Sequence, residues 1–175
     1  MAYTLKKEIL LNAPKKEVWE TYRDKLSQMV DAMATVDSIT VISREEIKEG
    51  IRLKNRWQIS GGVPKAIKRV VPQKLLSYDD EARWHENEYI CYFTEKPIDG
   101  SEIYVCKGQN DFVELGEQTL LTISFELTIH PEKIPGVPNF IAKGIVPKIE
   151  QLISKEVAKN LAATAKVVEE YINKK

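Results

Sequence analysis

The feature that most constrains the fold of this chain is a change of hydrophobic period near its end. Between Ile39 and Ile129, apolar residues recur mostly at every second position, which is the period of β-strands. Between about Ile145 and Ile172 they recur at every third or fourth position, which is the period of an amphipathic helix. A twisted sheet of many strands curls, and its concave face needs a long apolar element to cover it. The order of elements therefore predicts a sheet covered by one C-terminal helix.

The first part of the chain predicts a strand followed by helical turns. Residues 3–12 alternate well enough for a strand, which Asn12-Ala13-Pro14 ends. Pro14 suits the first turn of a helix because its missing N–H has no partner there in any case. Helical spacing follows at Val18, Trp19, Tyr22 and Leu26. We therefore expect one helix, or two short helices with a bend near Ser27.

The middle of the chain predicts hairpins with recognisable turns. A three-residue turn with Gly50 in the left-handed conformation would bring together the apolar faces of the strands that end at Ile47 and begin at Ile51. A two-residue turn would instead place Ile51 opposite Lys48, and we prefer the first alternative. Glycine and proline at 61–64 interrupt the sheet, and strand character returns at Leu75.

Later turns are predicted at Glu86-Asn87, Asp99-Gly100 and Leu115-Gly116. They would set four cross-strand pairs, namely Trp84 with Tyr89, Phe93 with Cys106, Tyr89 with Asn110, and Cys106 with Phe125. In this register Cys91 and Cys106 are diagonal neighbours on one face. Direct pairing of the two thiols is not expected, and a structural disulfide is therefore not predicted.

Composition limits the classes of function. The chain has 175 residues, which suits one domain over 1–175, and its 26 basic and 26 acidic residues leave no net charge. A nucleic-acid partner normally requires a basic excess, so none is predicted. No signal segment opens the chain and no apolar run is long enough to span a bilayer, which predicts a cytoplasmic protein.

Catalytic and metal-binding motifs are not found. The sequence has no CxxC, HExxH or phosphate-binding glycine motif, and its two histidines, His85 and His130, lie at the ends of predicted strands. We therefore predict no metal, no cofactor and no assigned catalytic residue.

The order of elements and three segments resemble the START-like superfamily. These segments are "ILLNAPKKEVWETYRD", "RLKNRWQIS" and "IVPKIEQLISKEVAKNLAATAKVVEEYI". The superfamily includes lipid-transfer domains, aromatic polyketide cyclases and the birch-pollen allergen family. The resemblance covers nearly the whole chain and implies an α+β helix-grip fold. In that fold a seven-stranded curved antiparallel sheet wraps around a long C-terminal helix, and two short helices follow the first strand. A ligand-sized cavity lies between sheet and helix.

The predicted concave face carries both aromatic and polar side chains, which favours a partly apolar cavity over a solid core. The predicted lining consists of Trp57, Tyr78, Trp84, Tyr89, Phe93, Tyr104, Phe112 and Phe125, the polar residues Glu45, Asn55, Asp80 and Asn110, and Ile149 and Ile153 from the helix.

Three functions remain open at this point. The first is binding or transfer of a hydrophobic small molecule or lipid. The second is an enzyme of the cyclase or hydratase type, in which Asp80 or Glu45 acts as acid or base. The third is an interaction module with a filled core. The segment 133–148 is predicted to be a loop that packs on one end of the domain. Its alternative roles are a lid over the cavity or a transient contact with a membrane.

Overall fold

The structure, a computed structural model, describes residues 2–59 and 77–174, without the side chains at positions 145 and 152–154. The predicted interruption at 61–64 and the predicted strand start at Leu75 lie outside these residues. The strands are β1 (Ala2–Leu11), β2 (Val36–Ile47), β3 (Gly50–Ile59), β4 (Ser77–His85), β5 (Ile90–Pro97), β6 (Tyr104–Leu115) and β7 (Gln118–Ile129). The helices are α1 (Lys15–Asp24), a 3-10 helix (Leu26–Ala32), a short 3-10 turn (Pro131–Lys133) and the C-terminal helix (Asn139–Asn173).

The strands form one antiparallel sheet of seven strands in the order β1-β7-β6-β5-β4-β3-β2. Strands β2 to β7 follow one another as a meander, and β1 joins the free edge of β7. The first helical segment is divided into α1 and the 3-10 helix. The predicted helix-grip plan of an antiparallel sheet, two short helices and a long C-terminal helix is confirmed.

The turn between β2 and β3 differs from the prediction. Ile47 pairs with Gly50, so Lys48 and Glu49 form a two-residue turn and Ile51 lies opposite Glu46. Gly50 has φ 149° and packs so closely on β4 that an added Cβ would overlap the carbonyl oxygen of Trp84. Only glycine fits this backbone conformation and this spacing, which fixes where β3 begins.

The later strand pairs are shifted by two residues from the predicted pairs. Trp84 lies opposite Cys91, and Cys106 lies opposite both Glu95 on β5 and Leu127 on β7. One cause is a longer turn before β5, in which Tyr89 has a positive φ of 55°. Because side chains alternate along a strand, a shift of two changes the partners and preserves the faces.

The register also separates the two cysteines. Cys91 lies opposite Asn110, whereas Cys106 lies opposite Glu95 at the other end of the same strand pair. The predicted diagonal contact is therefore wrong. Both thiols are free and buried, so the expectation of no disulfide is confirmed.

Helix α1 fills one end of the concave face. The indole of Trp19 is 3% exposed and contacts three aromatic rings edge to face, at centroid distances of 4.8 Å from Trp84, 5.2 Å from Tyr89 and 5.2 Å from Phe112. Edge-to-face contact suits the charge distribution of aromatic rings. This end of the fold is therefore a packed aromatic core.

The C-terminal helix contacts the rest of the fold through two apolar clusters. Ala165, Val168 and Ile172 near its end pack into the same core as Trp19. Val146 and Ile149 near its start pack in a second cluster that contains Tyr3, Tyr104, Leu127 and Ile129. The helix starts at Asn139, earlier than predicted, which places Pro147 inside it.

The predicted loop 133–148 is helical from Asn139 onward, because Ile141 and Ala142 already donate backbone hydrogen bonds to Pro138. Across residues 2–59 and 77–174, no helix combines the length and the hydropathy needed to cross a bilayer.

Candidate functional site

Four polar side chains form a continuous line across the concave face. Asn55 on β3 lies opposite Asp80 on β4, Asp80 lies opposite Glu95 on β5, and Glu95 lies opposite Cys106 on β6. Cross-strand neighbours in such pairs have Cβ atoms about 5 Å apart, so adjacent members are within reach of one another. We call these four residues the polar row.

The opposite face of the sheet fixes the orientation of the polar row. Asp79 accepts two hydrogen bonds from Arg56 on the convex face, from Nε at 2.8 Å and from Nη2 at 3.1 Å. Lys54 Nζ is 3.4 Å from the same carboxylate. Since successive side chains of a strand point to opposite faces, these contacts direct Asp80 into the concave side.

Several buried polar atoms near the row have no hydrogen-bond partner. Asn55 Oδ1 and Asp80 Oδ1 in the row are buried and accept no hydrogen bond, and the same holds for Asn110 Oδ1 farther along β6. Trp57 Nε1, two residues from Asn55, is buried and does not donate one. Polar atoms buried in folded proteins are almost always paired, so this concentration of unpaired atoms distinguishes the polar row from a packed core.

The two carboxyl groups in the row have raised pKa values. Burial raises the pKa of Asp80 well above its usual range, and the neighbouring Glu95 raises it further. Burial also raises the pKa of Glu95, to about 7, against a smaller opposing effect of a hydrogen bond from Cys106. Two adjacent buried carboxylates cannot both be charged at low cost, so the pair retains at least one proton near neutral pH.

Three ionisable groups beside this pair are held in their neutral forms. Burial, followed by the charge of Glu95, raises the pKa of the Cys106 thiol. The same two causes raise the pKa values of the Tyr78 and Tyr104 phenols. Neutral polar groups therefore adjoin Asp80 and Glu95, and the charge of Glu81 adds to the rise in the pKa of Asp80.

Aromatic rings flank the polar row along the strands. On one side Trp57 and Tyr78 stack, with centroids 6.0 Å apart and planes within 8° of parallel. On the other side Gly108 lies between Phe93 and Phe125, with which it pairs across β5 and β7. A Cβ on Gly108 would lie 2.5 Å from Phe93 Cζ and 2.7 Å from Phe125 Cβ, so only glycine lets both rings approach.

The middle of the concave face is not filled to the same degree as its α1 end. Leu53 and Ala82, each 2% exposed, form a buried floor. The residues along and beside the row are instead half-buried, namely Asn55, Trp57, Tyr78, Asp80, Phe93, Glu95 and Tyr104. These side chains face inward and still retain accessible surface.

Glu45 does not belong to this site, and its predicted inward orientation is wrong. It lies opposite Arg52 on the convex face, where Arg52 Nη1 donates a hydrogen bond to Glu45 Oε2 at 3.3 Å. The two-residue turn at Lys48-Glu49 and a register irregularity between Val41 and Ser43 exchange the faces of this part of β2. Arg44 takes the concave face instead and binds Asp24 there at 2.7 Å.

Glu95 and Cys106 are the members of the polar row that the predicted lining did not include, and Glu95 is the more important of the two. The alternation Cys91-Phe93-Glu95 along β5 carried the necessary signal, since Cys91 and Phe93 were already assigned to the concave face. The predicted register, with Phe93 opposite Cys106, would place Glu95 opposite Tyr104 and two residues away from its observed partner Cys106. The correct register makes it the centre of the polar row.

The other predicted lining residues fall into three groups. Asn55, Trp57, Tyr78, Asp80, Phe93, Tyr104, Asn110 and Phe125 are on the concave face and half-buried. Trp84 and Phe112, 5% and 4% exposed, are also on that face but belong to the packed core around Trp19, and Tyr89 lies in the turn beside them. From the helix, Ile149 is half-buried in the second cluster, and the side chain of Ile153 is outside the described residues.

Metal-ligand sets were also searched for in the described ranges, 2–59 and 77–174. No group of three or more histidine, cysteine, aspartate or glutamate side chains is arranged there to hold a metal ion.

Comparison with known proteins identifies the fold. No family model and no curated protein sequence matches the chain. Solved structures do match over nearly its whole length. The Zhui aromatase/cyclase of Streptomyces sp. R1128 is 13% identical with a TM-score of 0.70, covering 99% of this chain and 95% of that one. Norcoclaurine synthase from Thalictrum flavum, in complex with dopamine and hydroxybenzaldehyde, is 14% identical with a TM-score of 0.65 and coverages of 99% and 88%.

A START superfamily protein from Mycobacterium smegmatis gives 11% identity, a TM-score of 0.60 and 98% coverage of both chains. Identities this low establish the fold and not the function. The chain has the START-like helix-grip fold, which confirms the resemblance drawn from its sequence.

Proposed function

We propose that this chain binds a hydrophobic small molecule, such as a lipid, in the hollow between the sheet and the C-terminal helix. The observation that carries the proposal is the polar row between aromatic rings, with buried oxygens on Asn55 and Asp80 that accept no hydrogen bond. An unpaired buried polar group costs about 1–3 kcal/mol, which a ligand that pairs with it removes. An apolar pocket with a few polar groups that orient the ligand is the usual form of a small-molecule site.

Two further observations support ligand binding. The half-buried residues on the concave face argue against an interaction module with a filled core. Norcoclaurine synthase, which has the same fold, is in complex with dopamine and hydroxybenzaldehyde in its solved structure. That example supports a small organic molecule as the class of occupant for this fold.

The first test is native mass spectrometry of the purified protein, followed by solvent extraction of anything that co-purifies. The second is the uptake of Nile red, a neutral apolar dye whose fluorescence rises in a dry site. We expect stoichiometric binding by the wild-type protein. A protein that carries no extractable molecule and leaves Nile red dark would remove the proposal.

A pair of variants on β3 makes the location specific. Asn55→Phe places a ring within the polar row and is expected to abolish Nile red uptake. Gln58→Phe adds the same ring to the exposed convex face of the same strand and should leave uptake unchanged. Equal loss in both variants would argue against a site on the concave face.

A second candidate is an enzyme that uses the carboxyl pair for proton transfer. One observation favours it, namely that Asp80 and Glu95 are adjacent, buried and raised in pKa, with Glu95 at about 7. A pKa near the working pH is what general acid–base catalysis requires. Glu45, the other acid considered from sequence, is on the convex face and has no part in this candidate.

Asp80→Asn and Glu95→Gln distinguish a carrier from an enzyme. Both variants should still take up neutral Nile red if the protein is a carrier, because the amides preserve shape. If the protein is an enzyme, the co-purified molecule incubated with wild-type protein should yield a product by mass spectrometry, and both variants should yield none.

Membrane contact is a further part of the proposal. Phe140 is 78% exposed and Ile141 is 43% exposed in the first turn of the C-terminal helix, and Lys143 and Lys148 follow as exposed cations. Apolar residues beside lysines are the composition of a segment that enters a bilayer interface. We propose that this turn touches a membrane when a lipid enters or leaves the hollow.

A further inference from the structure

The acidic pair in the polar row has no counter-charge among the described residues. No lysine, arginine or histidine within 2–59 and 77–174 forms an ion pair with Asp80 or Glu95. The cations that share the concave face are already engaged or distant. Arg44 binds Asp24 at 2.7 Å, and Lys7 lies on β1 at the far edge of the sheet.

Within the polar row, unpaired hydrogen-bond acceptors outnumber unpaired donors among the described residues. Asn55 Oδ1 and Asp80 Oδ1 are buried and accept no hydrogen bond. Trp57 Nε1 beside the row is an unpaired buried donor, and Trp84 Nε1 is another in the packed core around Trp19. A ligand that satisfies this site must therefore supply N–H or O–H groups, and a ligand carboxylate or phosphate would add acceptors and a like charge.

Aromatic rings stand beside the pair as well. The stacked rings of Trp57 and Tyr78 lie in the next cross-strand position along the sheet from Asn55 and Asp80. The face of an aromatic ring attracts a cation, most strongly when water is excluded. A primary ammonium group provides three donors and one positive charge, whereas a hydroxyl provides one donor and no charge.

We infer that the ligand of this hollow is an apolar molecule with a protonated amine, whose ammonium group binds between Asp80 and Glu95 beside Trp57 and Tyr78. This inference rests on the proposed function, since it assumes that the hollow takes a ligand. It adds the chemical class of the head group and its orientation. The apolar part extends from the polar row over Phe93 and Phe125.

The test compares amines with alcohols of the same shape. Tryptamine is compared with tryptophol, and dodecylamine with dodecanol, so that neither ring nor chain geometry decides the result. Affinities are measured by isothermal titration at about pH 8, above the pKa of Glu95. In the wild-type protein we expect at least one amine to bind about tenfold or more tightly than its alcohol.

Variants then assign the preference to the carboxyl pair. In the double variant Asp80→Asn with Glu95→Gln, the ratio of the two affinities should fall to about one while the alcohol still binds, because only the charge is lost. Glu81→Gln is the matched control, since Glu81 is adjacent to Asp80, 64% exposed and bound to Lys54 on the convex face. It should keep the wild-type ratio.

The outcomes separate this inference from the proposed function. If no amine binds more tightly than its alcohol, or if the double variant keeps the preference, the amine assignment is wrong, although Nile red uptake would still support a hydrophobic site. If Nile red and all four compounds fail to bind the folded wild-type protein, the proposed function fails and the amine assignment fails with it.

Discussion

Asp79 and Asp80 are consecutive in the chain and belong to opposite electrostatic environments. The Asp79 carboxylate is bound by Arg56 and Lys54, which lower its pKa, whereas burial and Glu95 raise the pKa of Asp80. The two residues should therefore respond in opposite directions to substitution by asparagine. Asp79→Asn should lower the free energy of unfolding, because it leaves two cations without their partner. Asp80→Asn should raise it by about 1 kcal/mol or more at about pH 8, because the fold opposes ionisation of this buried carboxyl and asparagine has no proton to lose.

Urea unfolding of the two variants beside the wild-type protein checks this prediction. Each variant serves as the control for the other, since both change an aspartate to asparagine on β4. Changes of the same sign would mean that Asp80 has a stabilising partner and is not an unpaired acid.

The stability of the protein should depend on pH through Glu95. Its pKa is raised by burial from 4.5 to about 7, so the folded state holds a proton that the unfolded chain releases. The stabilisation is complete below about pH 4.5 and is lost as the pH rises through about 7, in total about 3 kcal/mol. Unfolding free energies at about pH 5 and about pH 8 should show this loss. Glu95→Gln should remove the part of this pH dependence that is due to Glu95 and leave the part due to Asp80, whereas Glu81→Gln should retain both. An unchanged pH dependence in Glu95→Gln would contradict the assignment.

Gly108 should be much less tolerant of alanine than Gly144. An added Cβ at Gly108 meets Phe93, Phe125 and the carbonyl oxygen of Ser124, so Gly108→Ala should destabilise the fold by about 2 kcal/mol or more. A Cβ at Gly144 meets nothing, and alanine is the better helix former, so Gly144→Ala should stabilise it by about 0.5–1 kcal/mol. Thermal unfolding of both variants is the measurement. A mild effect at Gly108 would show that the two rings can move apart.

Phe140 should matter for membrane contact and not for folding. Its side chain is 78% exposed, so Phe140→Ser should leave the midpoint of urea unfolding unchanged. The same substitution should reduce co-sedimentation with vesicles of phosphatidylcholine and phosphatidylserine severalfold, since it removes the most exposed apolar ring of the helix start. Val113→Ser, at a residue 48% exposed on the convex face, is the control and should sediment like the wild-type protein. Loss in both variants would indicate non-specific adsorption.

Much of the fold could be predicted because the hydrophobic period and the turn residues are properties of short segments of the sequence. The alternation of apolar and polar residues in β7 and the helical spacing near Ile172 are each set within one segment, because one face of that segment is buried and the other contacts solvent. The side chains of β4 to β6 were assigned to the correct faces because the register errors were shifts of two residues. Cys106, for example, pairs with Glu95, whereas Phe93 was the predicted partner.

The errors arose where local signals do not determine the outcome. The orientation of Glu45 depends on two features of the β2–β3 hairpin, namely the register irregularity between Val41 and Ser43 and the two-residue turn at Lys48-Glu49. Neither feature can be recognised in the alternation of apolar and polar residues along β2. The position of Glu95 in the site depends on four strands being in register at once. The division of the concave face between packed core and hollow depends on how deeply α1 inserts Trp19.

The pairing of β1 with β7 has a consequence for the order in which the protein can be assembled. Residues 2–11 leave the ribosome before their strand partner at 119–128, which is the last strand of the sheet to be synthesised. The meander can form as it is synthesised, but the part of the concave face that α1 does not cover stays open until the C-terminal helix follows. A nascent chain that has just completed β7 therefore exposes the surface that later becomes the site. That intermediate is the stage at which a chaperone or an early-bound ligand would protect the chain most.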